Sequence, residues 1–223
     1  TNNAVDFGDL SYTTLAPAGC ASSTRGIFCG GQTPSQAVIH IEFVTIMTTG
    51  DATDFGDMTT VREQHMACSN STRGLIAGGK APSMTNAIDF ITIATTGNAT
   101  DFGDMTYVAQ QAMACSNSTR GLISGGGTPG AMVNTINFIT IATTGNAADF
   151  GDMTYTNNRD GASGSSKTRG IVGAGGDPYT SPYPKTNIIN AVEIATTGDA
   201  LDFGDLTSSR NHMAGCTNGH GGL

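Results

Sequence analysis

The tetrapeptide DFGD occurs five times, beginning at Asp6, Asp54, Asp101, Asp149 and Asp202, with spacings of 48, 47, 48 and 53 residues. A whole unit recurs around it. A TRG segment (from Thr24, Thr72, Thr119 and Thr168) leads to a double glycine, and a variable stretch follows. A strand-like ITIATTG run, with TTG at Thr48, Thr95, Thr143 and Thr196, then enters the next DFGD. Self-similarity at a period of this length marks a chain built from copies of one supersecondary unit. A single copy cannot bury both of its faces, so the copies must stack on one another.

Each unit reads as four short strands. In the second copy these are 66–70, 73–77, 88–94 and 100–105, separated by turns at Ser71, Gly78–Gly79 and Thr95–Asn98. Short runs of Thr, Val, Ile and Phe bounded by Gly, Asn and Ser are the signature of antiparallel meanders. Composition agrees: 13% of the 223 residues are charged, 31 are Gly and none is Trp. That apolar content is too high for disorder, and Ala, Leu, Glu and Lys do not dominate as they would in a helical bundle. The expected fold is therefore all-β, with residues 1–223 forming a single repeat domain of about five four-stranded blades, the size of propeller blades.

Here the repeat resembles the kelch repeat along the whole chain. The double Gly of each copy is Gly30–Gly31, Gly78–Gly79, Gly125–Gly126 and Gly175–Gly176. The chain departs from kelch in lacking the Trp of the last strand, and the Phe of DFGD fills that role. More narrowly, the STRGL…GG and ITIATTGNATDFGDL wording is similar to kelch-like repeats in tail and fibre proteins of marine bacteriophages. Blade counting leaves an ambiguity. The ITIATTG strand occurs four times against five of DFGD, and the sequence stops within the fifth double-Gly strand. Five blades would need roughly 240 residues. Either a ring closes imperfectly, or the chain is cut from a longer array. Thr1, rather than Met, is expected to mark a processed or excised piece.

Repetition decides how the conspicuous residues are read. Ten of the eighteen acidic residues lie in DFGD. Clustered Asp with a Gly turn could hold calcium, but an element present in every blade is scaffold, since a catalytic or metal site needs only one copy. Asp6, Phe7, Asp54, Phe55, Asp101, Phe102, Asp149, Phe150, Asp202 and Phe203 are expected to be structural. Their carboxylates should satisfy turn amides, and the rings should pack between blades. Arg25, Arg73, Arg120 and Arg169, at one phase of the repeat, are expected to pair with a repeated Asp across blades. Cys20, Cys68, Cys115 and Cys216 are equivalent positions, matched by Gly164 in the fourth copy; with Cys29 they are expected to be free, buried thiols. The four His share no metal-ligand spacing, and the Gly-rich 125–130 run lacks the Lys of a phosphate loop and reads as a turn. No catalytic residue, metal or cofactor is expected.

The net charge of −8, with Lys and Arg scattered singly, excludes nucleic acid as a partner. No apolar run is long enough for membrane insertion, and no segment reads as a signal peptide. What varies between copies is the stretch after the double Gly. Its longest version, 177–186, carries Tyr179, Tyr183 and Lys185 beside three Pro. Tyr on a stiff loop can stack on sugar rings, so these three are the expected ligand-binding residues. The resemblance implies a non-enzymatic structural and adhesion module of a phage tail or fibre. Its partners would be other virion proteins and a host-surface glycan, with an oligomer allowed. It would reside in the virion tail, or otherwise be extracellular or secreted. The alternatives are a free-standing carbohydrate-binding propeller lectin and, less favoured, a galactose-oxidase-like enzyme.

Overall fold

A computed structural model describes residues 3–156, 159–177 and 182–216. These residues contain no helix, and so none long and apolar enough to cross a membrane. The fold is all-β and propeller-like, made of four-stranded antiparallel sheets. The first sheet holds β1 (Ala18–Ala21), β2 (Arg25–Cys29), β3 (His40–Thr45) and β4 (Thr53–Asp57). The second holds β5 (Met66–Ser69), β6 (Arg73–Ala77), β7 (Ala87–Thr92) and β8 (Thr100–Asp104). In the third, β9 (Met113–Ser116), β10 (Arg120–Ser124), β13 (Thr135–Thr140) and β14 (Ala148–Asp152) form the sheet. There the 125–130 run is not a plain turn: β11 (Gly127–Thr128) and β12 (Ala131–Met132) make a small hairpin of their own. The fourth sheet comprises β15 (Ala162–Ser165), β16 (Arg169–Gly176), β17 (Lys185–Glu193) and β18 (Leu201–Asp205). In each sheet the strands pair in sequence order, and the first strands of successive sheets are neighbours.

The DFGD strand is explained by a bulge. Ile88 faces Gly103 and Asp89 faces Asp101, so Phe102 is skipped in the pairing; the same shift recurs in all four sheets. An extra residue bends the strand and re-aims its side chain. Phe55, Phe102 and Phe150 thereby point between sheets, each 2% exposed and edge-on to Phe43, Phe90 or Phe138 at 5.9–6.1 Å. Phe7 and Phe203, at the two flanks, are 38% and 55% exposed. Three apolar clusters result, one between each pair of consecutive sheets.

Next to each Phe, the Gly of DFGD abuts the following sheet. A Cβ on Gly56, Gly103 or Gly151 would sit 2.5–2.6 Å from the TTG glycine carbonyl of the next unit, and φ there is +142° to +143°. Only Gly meets both conditions. Backbone bonds fasten the same point. Gly97, Gly145 and Gly198 N–H donate to the carbonyls of Phe55, Phe102 and Phe150 at 2.7–2.8 Å. The N–H of Asp57, Asp104 and Asp152 donates to Asn98, Asn146 and Asp199 at 2.9–3.0 Å. Among the described residues the DFGD carboxylates do not reach turn amides as expected: in two copies the first Asp accepts from the Gly of its own DFGD strand, Asp6 from Gly8 N–H and Asp202 from Gly204 N–H.

The repeated Arg crosses sheets, but its partner is backbone and not Asp. Arg25, Arg73 and Arg120 donate to the carbonyls of Ile93, Ile141 and Ile194 at 2.8–3.0 Å. Each guanidinium also lies 4.4–4.7 Å above Phe43, Phe90 or Phe138 of its own sheet. Arg169 has Ala191 where the others have Phe, and it makes neither contact among the described residues. Nearer the axis, Ser69 Oγ donates to Ala21, Ser116 Oγ to Ser69 and Ser165 Oγ to Ser116, all at 2.7 Å.

The thiols interlock with glycines. A Cβ on Gly74, Gly121 or Gly170 would meet the Sγ of Cys20, Cys68 or Cys115 of the preceding sheet at 2.8–3.0 Å. Gly164 faces Ile171 as Cys115 faces Leu122, which fixes the equivalence of those two positions. Cys216, expected to be buried, is exposed. The fourth copy also shifts its double glycine: the left-handed pair is Ala174–Gly175 (φ 56° and 126°), matching Gly78–Gly79.

Two expected outcomes follow from these joints. Gly121→Ala should lower stability by about 1–3 kcal/mol through overpacking. Adding Cys68→Ala should recover most of the loss in urea unfolding; an unrelieved loss would mean the thiol is not what fills the space. Phe102→Ala should cost about 3–5 kcal/mol, whereas Phe203→Ala, half exposed, should stay within about 0.5 kcal/mol of the parent.

Candidate functional site

Two sets of loops meet on one face. The segment entering each first strand bridges to the segment just past the double glycine: Leu15 to Gln32, Glu63 to Lys80, Gln110 to Gly127 and Arg159 to Gly176. The residue after each bridge is left-handed. These are Ala16, Gln64, Gln111 and Asp160, joined by His212 before the segment 213–216, with φ between 53° and 58°. None is Gly, and a left-handed non-Gly residue is worth a functional question. Three of them are joined in a chain that ends beside His212: Gln111 N–H donates to the Gln64 carbonyl at 2.8 Å, Asp160 N–H to Gln111 at 3.2 Å and Met213 N–H to Asp160 at 3.3 Å.

Side chains converge where this chain reaches the fourth sheet. Gln111 Nε2 donates to Asp160 Oδ1, while His212 Nδ1 lies 3.6 Å and Arg159 Nε 3.9 Å from Asp160 Oδ2. Gln111 Oε1 is buried without a hydrogen-bond partner among the described residues. Together with Asn211, Asp177, Tyr183 and Lys185 these residues line a cavity of about 280 Å³.

Sequence reasoning places Tyr183 and Lys185 in this region, and the cavity brings them together. Tyr179 lies outside the described residues. Tyr183 is 62% exposed with φ 63°, directly before Pro184, where a left-handed residue is disfavoured. Asp177 N–H donates to the Pro184 carbonyl at 2.9 Å and closes the loop at its base. Lys185 is not in the loop as expected: it pairs with Gly176 as the first residue of β17, so the hairpin fixes its backbone. Arg159, Asp160, Asn211 and His212 do not stand out in the sequence. Their signal is the failure of the repeat, since the Arg159 position holds Leu15, Glu63 and Gln110 in the other copies.

The axis itself is chemically quiet. The first strands and residues 213–216 line one central cavity of about 480 Å³, walled largely by Ala, Gly and Ser. Burial pushes the Cys68 and Cys115 thiols up to about 12, so neither is a thiolate nucleophile at neutral pH. Among the described residues, no three His, Cys, Asp or Glu converge closely enough to hold a metal ion.

One titratable cluster lies away from the mouth. Arg62 and Asp89, each 1% exposed, pair at 2.5 Å, and Asp89 also accepts from the Thr59 hydroxyl at 2.7 Å. Burial lowers the Arg62 pKa despite that partner. His65 bonds the Cys29 carbonyl through Nε2, and burial, then the Arg62 charge, push it down to about 4. Substrate cannot reach this pair, whose work is to satisfy buried groups between two sheets.

The comparisons with known proteins bear on the fold. No protein-family model matches the chain, and no curated protein matches its sequence. Among solved structures it is similar to YjhT, a kelch-type β-propeller, with a TM-score of 0.73 and 10% identity. That match covers 90% of this chain and 73% of the other. At this identity the likeness shows an all-β, propeller-like fold and nothing of activity.

The His65 environment sets a pH dependence. Above about pH 6.5 the ring is neutral in both folded and unfolded chains, so the full stability is present. Between there and pH 4 the unfolded chain binds the proton and the folded chain does not. Acidification to pH 4 should cost about 3 kcal/mol from this group. Urea midpoints measured from pH 7.5 to 4 should show it, and His65→Ala, which carries the residue found at Ala112, should lack this component. Equal slopes in both proteins would contradict the assignment.

Proposed function

We propose that this chain is a non-catalytic adhesion module whose propeller-like frame presents the Tyr183–Asp160 cavity to a glycan on a host-cell surface. The observation that carries this reading is the division of labour between positions. Joint residues recur from copy to copy, whereas the bridge position before each first strand is Leu15, Glu63, Gln110 and Arg159 in turn and the left-handed residue after it is Ala, Gln, Gln and Asp. A frame held constant under a variable mouth is the pattern of a binding surface on a rigid scaffold.

The chemistry of the cavity suits a polyol. Asp160 offers carboxylate acceptors, Arg159 and Lys185 offer donors, and Asn211 and His212 can serve as either. Tyr183 supplies an exposed ring face for the C–H face of a sugar. At about 280 Å³ the cavity is at the small end of ligand sites, fitting a terminal sugar unit more readily than a long chain. The similarity of the repeat wording to marine phage tail and fibre proteins supports placement in a virion tail, with other virion proteins as neighbours. A free-standing lectin would use the same cavity and differ in what the chain is attached to. A five-bladed, kelch-type ring is the architecture this reading adopts.

A glycan array probed with the parent, Tyr183→Ala and Lys185→Ala tests the reading. The parent should bind a restricted set of glycans. Both variants should weaken that binding by about tenfold or more, with melting temperatures near the parent's. Unchanged binding by Tyr183→Ala, or loss of folding in that variant, would overturn the site.

A further inference from the structure

The Tyr183–Asp160 cavity is walled by two side chains that each leave a buried polar atom unpaired. Among the described residues, seven buried side-chain nitrogens and oxygens lack a hydrogen-bond partner, all in the segments that enter the second, third and fourth sheets. Two of the seven, Gln111 Oε1 and Arg159 Nε, belong to residues that line the cavity of about 280 Å³. Buried polar groups are paired nearly everywhere in folded proteins, so an exception in a cavity wall calls for a partner supplied from outside the chain. Until that partner arrives, the atom has lost its water and gained nothing in return.

The polarity of both atoms is fixed. Gln111 Nε2 donates to Asp160 Oδ1, and turning the amide over would set two acceptor oxygens against each other. Oε1 is therefore the open end, and it can only accept. Arg159 Nε can only donate. It lies 3.9 Å from Asp160 Oδ2, beyond hydrogen-bond reach, and among the described residues the guanidinium makes no hydrogen bond. One carboxylate is thus flanked by an open acceptor from the third unit and an open donor from the fourth. The frame demands neither side chain: the first unit keeps the same bridge and left-handed residue with Leu15 and Ala16 at these positions.

We propose, resting on the glycan reading above, that the cavity selects an acetamido sugar, whose amide N–H donates to Gln111 Oε1 and whose carbonyl accepts from Arg159 Nε. A secondary amide carries one donor and one acceptor on separate atoms of a rigid plane, as the two open groups sit on separate side chains. Its rigidity leaves little freedom to lose on binding. The competing substituents each fail one partner. A free amine, protonated at neutral pH, only donates: it leaves Arg159 unpaired and sets a third cation beside Arg159 and Lys185. A carboxylate only accepts: it leaves Gln111 unpaired and faces the charge of Asp160. A hydroxyl must serve both partners from one oxygen. A site whose buried groups are left unpaired by the wrong ligand discriminates strongly against it.

The probes are glycosides ending in N-acetylglucosamine or N-acetylgalactosamine, printed on one array beside the matching amine and hydroxyl forms. In at least one series the acetamido form should bind about tenfold or more tightly than both of its partners. Gln111→Ala and Arg159→Leu install the residues of the first unit, so melting temperatures should stay near the parent's. Each should cut the acetamido preference by about tenfold, where a merely structural role would weaken all three forms alike. Gln64→Ala removes an unpaired acceptor that does not line the cavity, and it should leave the preference unchanged. Equal binding of the three forms, or a preference untouched by Gln111→Ala and Arg159→Leu, would overturn the proposal. So would an array on which the bound glycans carry no acetamido group, and the glycan reading would then stand without it. An array with no bound glycan would overturn both.

Discussion

The joint between a DFGD strand and the TTG turn of the next unit is the contact on which the rest of the structure depends. A fourth strand is an edge, and an edge offers unpaired carbonyls and amides to any passing chain. Here the edge is consumed by the neighbour: the carbonyls of Phe102 and Asp104 accept from Gly145 and Ala147, and the Asp104 amide finds Asn146. Two backbones can approach that closely because Gly103 has no side chain to intervene. The bulge at the same point rotates Phe102 inward, so one distortion closes the edge and delivers the core residue.

Around that joint, further contacts fix the angle between sheets. The Arg–Phe–carbonyl relay spans the outer part of the interface, and the Ser ladder and thiol–glycine interlock span the part nearer the axis. All are short and directional, and none depends on a long flexible salt bridge. The acidic surface is therefore no obstacle to assembly: the excess of Asp sits largely on the DFGD edge strands with its side chains turned outward, while backbone carbonyls do the binding between sheets. The Arg62–Asp89 pair is the exception, a buried charge pair in one interface where the next unit uses Ala109 and Asn137 instead.

Much of this is legible in the sequence, and the limits have physical causes. Period, strand number and strand order follow from the repeat, because turn residues and alternating apolar positions carry them locally. The role of Phe102 as a bulge residue is not local, since it depends on pairing with Ile88 and Asp89. The Arg partner escapes sequence reading for a similar reason: a backbone carbonyl has no sequence signature, whereas Asp does. In the fourth copy the Gly–Gly dipeptide lies one residue past the true turn, because Ala174 takes the left-handed conformation usually left to Gly. Of the cavity, Tyr183 and Lys185 are legible as departures in a loop. Arg159, Asp160 and His212 are not, because each looks unremarkable until the left-handed turn before the first strand aligns them.

That turn also explains why the mouth can vary when the frame cannot. The loops on this face are fastened by backbone bridges, Glu63 with Lys80 and Gln110 with Gly127 among them, and by the amide chain from Gln64 to Asp160. Buried backbone groups must be paired, and here they are paired with one another. Backbone pairing is the part that recurs, and the side chain changes over it: Leu, Glu, Gln and Arg stand at the bridge, and Ala, Gln, Asp and His at the left-handed residue. The left-handed conformation costs of order 1–3 kcal/mol at a non-Gly residue, so it persists only because the surrounding bonds hold it. A mouth built this way can change its chemistry copy by copy without retuning the core.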